Sequence, residues 1–206
     1  MFRLEELDQL DYTRKMQAIY ASVRDRRIPV EQRWQYWVAA RNELLSSHPH
    51  SPVPAAQRAH FINLAYYPYD PALRFLVDVD IDVPPEPFAL GEGQMQRVGK
   101  VHFPIAGSTL SLSLFSLQGY GGGLLLPFAD AGARSGRTYA GTRWLFDTPH
   151  GADLGEEHGK LVLDFNFAYN PASAYDAGVA SWDAPAENQL ALAVPAGELA
   201  YPISAT

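Results

Sequence analysis

Apolar and polar positions change rhythm once along this chain. Up to residue 61 they recur at helical spacing; beyond it they alternate in twos. Residues 4–27 hold few helix breakers and stop before Ile28-Pro29, which predicts a first helix. Between 30 and 45, the side chains of Val30, Trp34, Trp37, Val38, Leu44 and Leu45 fall on one helical stripe, together with the aliphatic stem of Arg41. Two tryptophans about a turn apart predict that this stripe docks on the rest of the protein; the alternative is a partner-binding face. His48-Pro49-His50-Ser51-Pro52-Val53-Pro54 ends the helix, because each proline lacks a donor and restricts its predecessor. A short helix is expected next, with Pro54 near its first turn.

From 75 to 83 the pattern is that of a half-buried strand. Phe75, Val77, Val79, Ile81 and Val83 alternate with Leu76, Asp78, Asp80 and Asp82, and Pro84-Pro85 ends the run. Further strands are predicted at 97–103, 109–118, 124–128, 139–146, 160–167 and 189–194, separated by turn signals at 106–108, 119–123 and 149–151. No intervening segment is long and periodic enough for a crossover helix, so the sheet should be mainly antiparallel. The expected class is α+β: N-terminal helices packed on a mainly antiparallel β-barrel or rolled sheet. Residues 1–61 form the helical segment and 62–206 the barrel-like part of one structural domain.

The densest candidate chemistry lies in Leu163-Asp164-Phe165-Asn166-Phe167-Ala168-Tyr169-Asn170-Pro171. On an extended strand Asp164, Asn166 and Ala168 would share one face, opposite a core face of Leu163, Phe165 and Phe167. The polar face must be solvated, hydrogen-bonded or used on a ligand. Glu187 and Asn188 precede the last predicted strand, and a carboxylate pair such as Asp164 and Glu187 could do acid–base work in an apolar cleft. Buried Asp and Asn also anchor loops through backbone groups, so that reading stays open. Arg137, Tyr139 and Arg143 share one face of the strand expected at 139–146. They could grip a carboxylate or phosphate, or form ion pairs with Asp130, Asp147 or Asp164.

Composition narrows the choices. A net charge of −7 without a Lys/Arg cluster argues against nucleic-acid binding. The absence of cysteine removes disulfides, thiolate metal sites and cysteine nucleophiles. The six histidines lack the spacing of a catalytic zinc motif, and Asp78, Asp80 and Asp82 read as a solvated face, so no metal or cofactor is expected. The glycines at 119–123 lack the Gly-Lys-Ser/Thr ending of a phosphate loop and read as a hairpin turn. The charged N-terminal stretch is no secretory signal and no apolar run approaches a membrane span, so a cytoplasmic protein without membrane contact is expected.

These residues also carry a resemblance. Phe128, Asp130, Ser135-Gly136, Thr138-Tyr139, Gly141 and Arg143 lead into the Asp-Phe-Asn-x-Ala-Tyr-Asn-Pro string at 164–171. Ala174-Tyr175, Pro185, Glu187-Asn188 and Ala196-Gly197-Glu198 follow. With Tyr66-Tyr67-Pro68-Tyr69-Asp70 and Leu114-Phe115, this pattern resembles the uncharacterised bacterial and archaeal domain of unknown function 1684. The family implies a domain type without an agreed activity. Its members usually carry a cysteine where Ser173 stands and a second near Ser181, so this chain resembles a divergent member.

The functional expectation is a domain that binds a polar or anionic small molecule at a barrel mouth. Arg137, Tyr139, Arg143, Asn166, Tyr169, Asn170 and Asn188 would contact the ligand. One alternative is a metal-independent hydrolase, isomerase or cyclase using Asp164 or Glu187 as general acid or base. Another is a protein-interaction module built on Trp34 and Trp37.

Overall fold

The computed structural model describes residues 5–61, 63–91, 93–119 and 121–202; residue 4 of the first expected helix and Tyr120 of the glycine turn lie outside them. Among the described residues three helices come first: α1 (Glu5–Val23), α2 (Val30–Ser47) and the single turn α3 (Ala55–Arg58). Met16, Ile19, Tyr20 and Val23 of α1 are buried, as are Arg33, Trp37, Arg41, Leu44 and Leu45 of α2. The α2 positions repeat at three- and four-residue spacing, so they form the stripe the sequence predicts. Trp37 is fully buried, with its ring 5.2 Å from that of Phe167, and the partly buried Trp34 donates its indole N–H to the Asn166 carbonyl. Both indoles therefore serve the fold. One reading needs correction: Arg41 contributes more than its stem, since its guanidinium is buried as well.

Ten strands follow. They are β1 (Arg74–Val77), β2 (Val79–Asp80), β3 (Pro87–Leu90), β4 (Gly93–Ile105), β5 (Ser108–Leu117), β6 (Leu124–Asp130), β7 (Arg143–Asp147), β8 (Glu156–Glu157), β9 (Lys160–Asp164) and β10 (Gln189–Leu190). One sheet runs β1-β9-β8. The other is seven-stranded, built along β10-β6-β5-β4-β2 with β3 on β4 and β7 on β6. All pairs are antiparallel except β10 with β6, and the sheet curls into a half-barrel. The α+β class with N-terminal helices thus holds. Phe103, Phe128 and Phe165 meet inside, with ring centroids 5.1 and 5.4 Å from Phe165.

Several expected strands are shorter, and polar side chains explain why. The run 75–83 breaks at Asp78, which pairs with Lys160. The run 160–167 ends at Asp164, whose carboxylate accepts from the Asn166 backbone N–H and caps a 3-10 turn at Phe165–Phe167. Asp164, Asn166 and Ala168 therefore do not share a strand face. The run 139–146 starts only at Arg143, and 189–194 keeps just the two residues of β10. β5 and β6 pair only at Phe115–Leu125 and Ser116–Leu124. Beyond that they part, and the Asn188 carboxamide fills the gap. It accepts from Ser113 N and donates to the Ser113 and Pro127 carbonyls, standing in for missing ladder bonds.

Candidate functional site

The residues marked by the sequence separate into distinct clusters. The first surrounds Asp164 at the end of β9. Its carboxylate is buried and accepts from the backbone N–H and side-chain amide of Asn166, at 3.0 and 2.8 Å. The Tyr69 hydroxyl donates to it at 3.3 Å, and Arg74 Nε stands 3.8 Å away. Register places Arg74 directly opposite Asp164 across the β1–β9 pair. Arg74 Nη2 also bonds Glu157 at 2.5 Å, and Arg26 approaches the same carboxylate. Asn166 is consumed by local structure: its amide exchanges bonds with both backbone groups of Asp70. Burial is the largest influence on Asp164. It pushes the carboxyl up from 3.8 to about 6, against the pull of Asn166, Arg74 and Tyr69. Tyr69 and Arg74, which flank the buried carboxyl, are themselves only partly buried.

A second cluster holds Arg143. It has no exposed surface, and its guanidinium donates to Asp130 Oδ1 at 3.0 Å and to the Ala196 and Val194 carbonyls, lying 4.6 Å over the Phe128 ring. Asp130 in turn accepts from Gly132 N, Val194 N and the Thr138 hydroxyl. The ion pair with Asp130 is thus the one formed among the three considered. Arg143 and Asp164 share no contact among the described residues.

Asn170 belongs to a third, fully buried group. Arg41 pairs with Glu198 at 2.9 Å, and Glu198 also accepts from Tyr175 OH and from the backbone and side-chain amides of Asn170. The Arg41 guanidinium lies 4.7 Å over the Tyr169 ring and 5.1 Å over the Trp37 ring. Gly197 permits this packing. Its φ is +77°, and a Cβ there would lie 2.5 Å from the Ala168 carbonyl oxygen. Sequence reasoning missed Arg41 and Glu198 as a pair, because they are 157 positions apart and only the tertiary fold joins them.

The remaining candidates stand elsewhere. Glu187 is ion-paired with Arg97 at 2.7 Å and makes no contact with Asp164 among the described residues. Tyr139 OH donates to Ser173 Oγ at 3.0 Å and lies 3.3 Å from Ser181 Oγ, so the two serines singled out above meet at one phenol. Arg137 is exposed, and its carbonyl accepts from Ala200 N. Asn188 closes the gap between β5 and β6. Tyr169 OH donates to Asp147 at 3.1 Å. Among the described residues no three His, Asp or Glu side chains gather as a metal-ligand set. Two surface hollows, of about 460 and 530 Å³, line α1 and do not open on Asp164.

Comparison with known proteins agrees with the fold. The chain is similar to the solution structure of an uncharacterised protein from gene locus rrnAC0354 of Haloarcula marismortui, at 27 % identity and a TM-score of 0.58, over 82 % of this chain and 93 % of that one. No curated protein matches. The family model described as "Protein of unknown function (DUF1684)" matches residues 59–199, which is more than half of the chain. The strings around Asp130–Arg143 and Asp164–Pro171 lie wholly within that match, and on it this chain belongs to the DUF1684 family.

Proposed function

We propose that this protein binds a polar or anionic small molecule and exchanges a proton with it at Asp164. The observation that carries the reading is a buried carboxyl poised near 6, beside a phenol and a guanidinium that are both partly open to solvent. A carboxyl tuned upward by burial holds or releases a proton near neutral pH, where an ordinary aspartate is already ionised. Arg74 supplies positive charge toward an anionic ligand, and the Tyr69 hydroxyl, donating to Asp164, offers its oxygen as an acceptor. The other candidate guanidinium, Arg143, has its bonds inside the protein, so the reading rests on Arg74 instead. It is a reading for a cytoplasmic protein acting on a metabolite rather than a nucleic acid, in line with the net charge of −7. Among the described residues no helix is long and apolar enough to cross a membrane.

The test is carboxyl-detected NMR on the folded chain. Asp164 should titrate near 6, and some member of a panel of small carboxylates and phosphate esters should shift the signals of Asp164, Tyr69 and Arg74 saturably. Arg74→Gln should weaken that response while leaving the chain folded. A panel that moves none of these signals removes the reading.

A further inference from the structure

The hollow of about 460 Å³ between the first two helices has no part in the Asp164 reading. α1 and α2 run antiparallel. Asp11, in the second turn of α1, bonds His48 just past the end of α2, and the Val23 carbonyl at the other end of α1 accepts from Arg33. That register brings Lys15 level with Glu43 and Ala18 level with Ala40, and all four line the hollow. Its floor is apolar, made by the buried side chains of Ile19 and Leu44. Ala18 and Ala40 stand beside them, and their short side chains leave the space that longer ones would fill. Small-molecule sites combine such an apolar lining with a few polar groups, in volumes of roughly 300–1,000 Å³.

The two walls carry opposite charges. Lys15 on α1 bonds Asp11 at 2.8 Å, which uses one of the three N–H groups of its ammonium. Asp11 is itself fixed by His48 Nε2 at 3.0 Å, so the Lys15 head is tethered beside the hollow. His48 lines the hollow as a fixed wall, since both ring nitrogens are in use, Nε2 on Asp11 and Nδ1 on the His50 N–H. Across from Lys15, the Glu43 carboxylate has no partner among the described residues; only its backbone carbonyl is used, accepting from Ser46 and Ser47. Lys15 and Glu43 form no ion pair with each other among the described residues, so each keeps capacity for a ligand. The two charges also select. A lone anion at Lys15 meets Glu43, and a lone cation at Glu43 meets Lys15, so a ligand of one sign is repelled as well as attracted. A molecule with a carboxylate and an ammonium group on one carbon satisfies both walls, and an apolar side chain on that carbon covers the floor.

We propose that the hollow between α1 and α2 is a binding site for a free α-amino acid with an apolar side chain. Lys15 takes the carboxylate, Glu43 takes the ammonium group, and the side chain lies on Ile19 and Leu44 between the two alanines. The site shares no residue with the Asp164 cluster, so either reading can fail alone. L-leucine is the probe. Titrated into the folded full-length chain at pH 7 and constant ionic strength, it should shift the amide signals of Ala18, Ala40 and Glu43 saturably. Leucine amide lacks the carboxylate and N-acetylleucine lacks the ammonium charge, so each should bind at least about threefold more weakly than leucine. Glycine, with no side chain to bury, should bind more weakly still. Glu43→Gln and Lys15→Met change exposed side chains and should each weaken leucine binding by about threefold or more. The losses should also be paired: Glu43→Gln should erase the preference for leucine over N-acetylleucine, and Lys15→Met the preference over leucine amide. Unsaturable shifts, an equal response to leucine and its two blocked forms, or leucine binding unchanged in Glu43→Gln would overturn the site.

Discussion

Arg143–Asp130 and Arg74–Asp164 are both guanidinium–carboxylate pairs across neighbouring backbone, yet they are built differently. In the first, the groups lie 3.0 Å apart with no exposure of either side chain beyond 1 %, and every close partner is internal. In the second, the separation is 3.8 Å and the arginine side chain is 18 % exposed. Three further donors converge on Asp130, while Asp164 is held mainly by Asn166 and burial dominates its proton affinity. A pair that is sealed, with both Arg143 Nη groups bonded inside the protein, is a structural fastener. A buried carboxyl with a looser, partly exposed cation is less firmly neutralised, and burial raises its proton affinity. Residue type alone does not separate the two cases, because both are Asp opposite Arg.

The comparison can be broken most directly at the sealed pair. Arg143→Met should lower the free energy of unfolding by about 3–5 kcal/mol, because it strands a buried charge, and urea denaturation would read it. Adding Asp130→Asn should restore part of that loss. A loss below about 1 kcal/mol would mean the pair is not the fastener described.

The next effect is a pH dependence. Asp164 has a folded pKa raised above its unfolded value, so the folded state holds the proton more tightly. Its contribution to stability falls as pH rises from about 4 to about 6, by about 3 kcal/mol, and stays low above that. Other carboxylates, such as Glu157, are shifted down and slope the opposite way, so the quantity to measure is a difference. From pH 4 to pH 7, Asp164→Asn should gain about 3 kcal/mol relative to the parent chain. A difference that does not change with pH would place Asp164 among the ordinary carboxylates.

Smaller effects sharpen the contrast. Tyr69→Phe should cost about 1 kcal/mol and move the Asp164 titration further upward, because the lost hydroxyl favours the ionised form. His150, hydrogen-bonded to Asp147, is an exposed third case. Its raised pKa contributes stability that is complete below about 6.5 and disappears as pH rises through the folded value. With a side chain 59 % exposed, that contribution should stay under about 1 kcal/mol, and His150→Asn thermal melts at pH 5 and pH 8 would measure it.

Periodicity made the helices and most strand positions legible. The stripe from Val30 to Leu45 and the core of β4, β5 and β6 follow directly from spacing. Strand ends were not legible, because a side chain decides them: Asp164 caps its own turn, and Asp130 does the same where β6 ends. The sequence marked the polar residues of 164–170 correctly as unusual. It could not show that they divide, with Asp164 opposite Arg74 of β1, Asn166 tied to Asp70, and Asn170 turned to Glu198. Partners for those groups come from Tyr69, Arg74 and Arg41, and pairing at such separation leaves no local spacing signal.

Glu198 has one further consequence. It lies inside the segment shared by the family, 59–199, but the cation that neutralises it, Arg41, comes from the helical part before residue 59. Cutting the chain at that boundary would leave the Glu198 carboxyl in the packed interior without its cation, so the shortened chain should be less stable than the parent. Among relatives, the residue at 198 should co-vary with whatever the preceding segment offers: acidic where an arginine reaches in, neutral where none does.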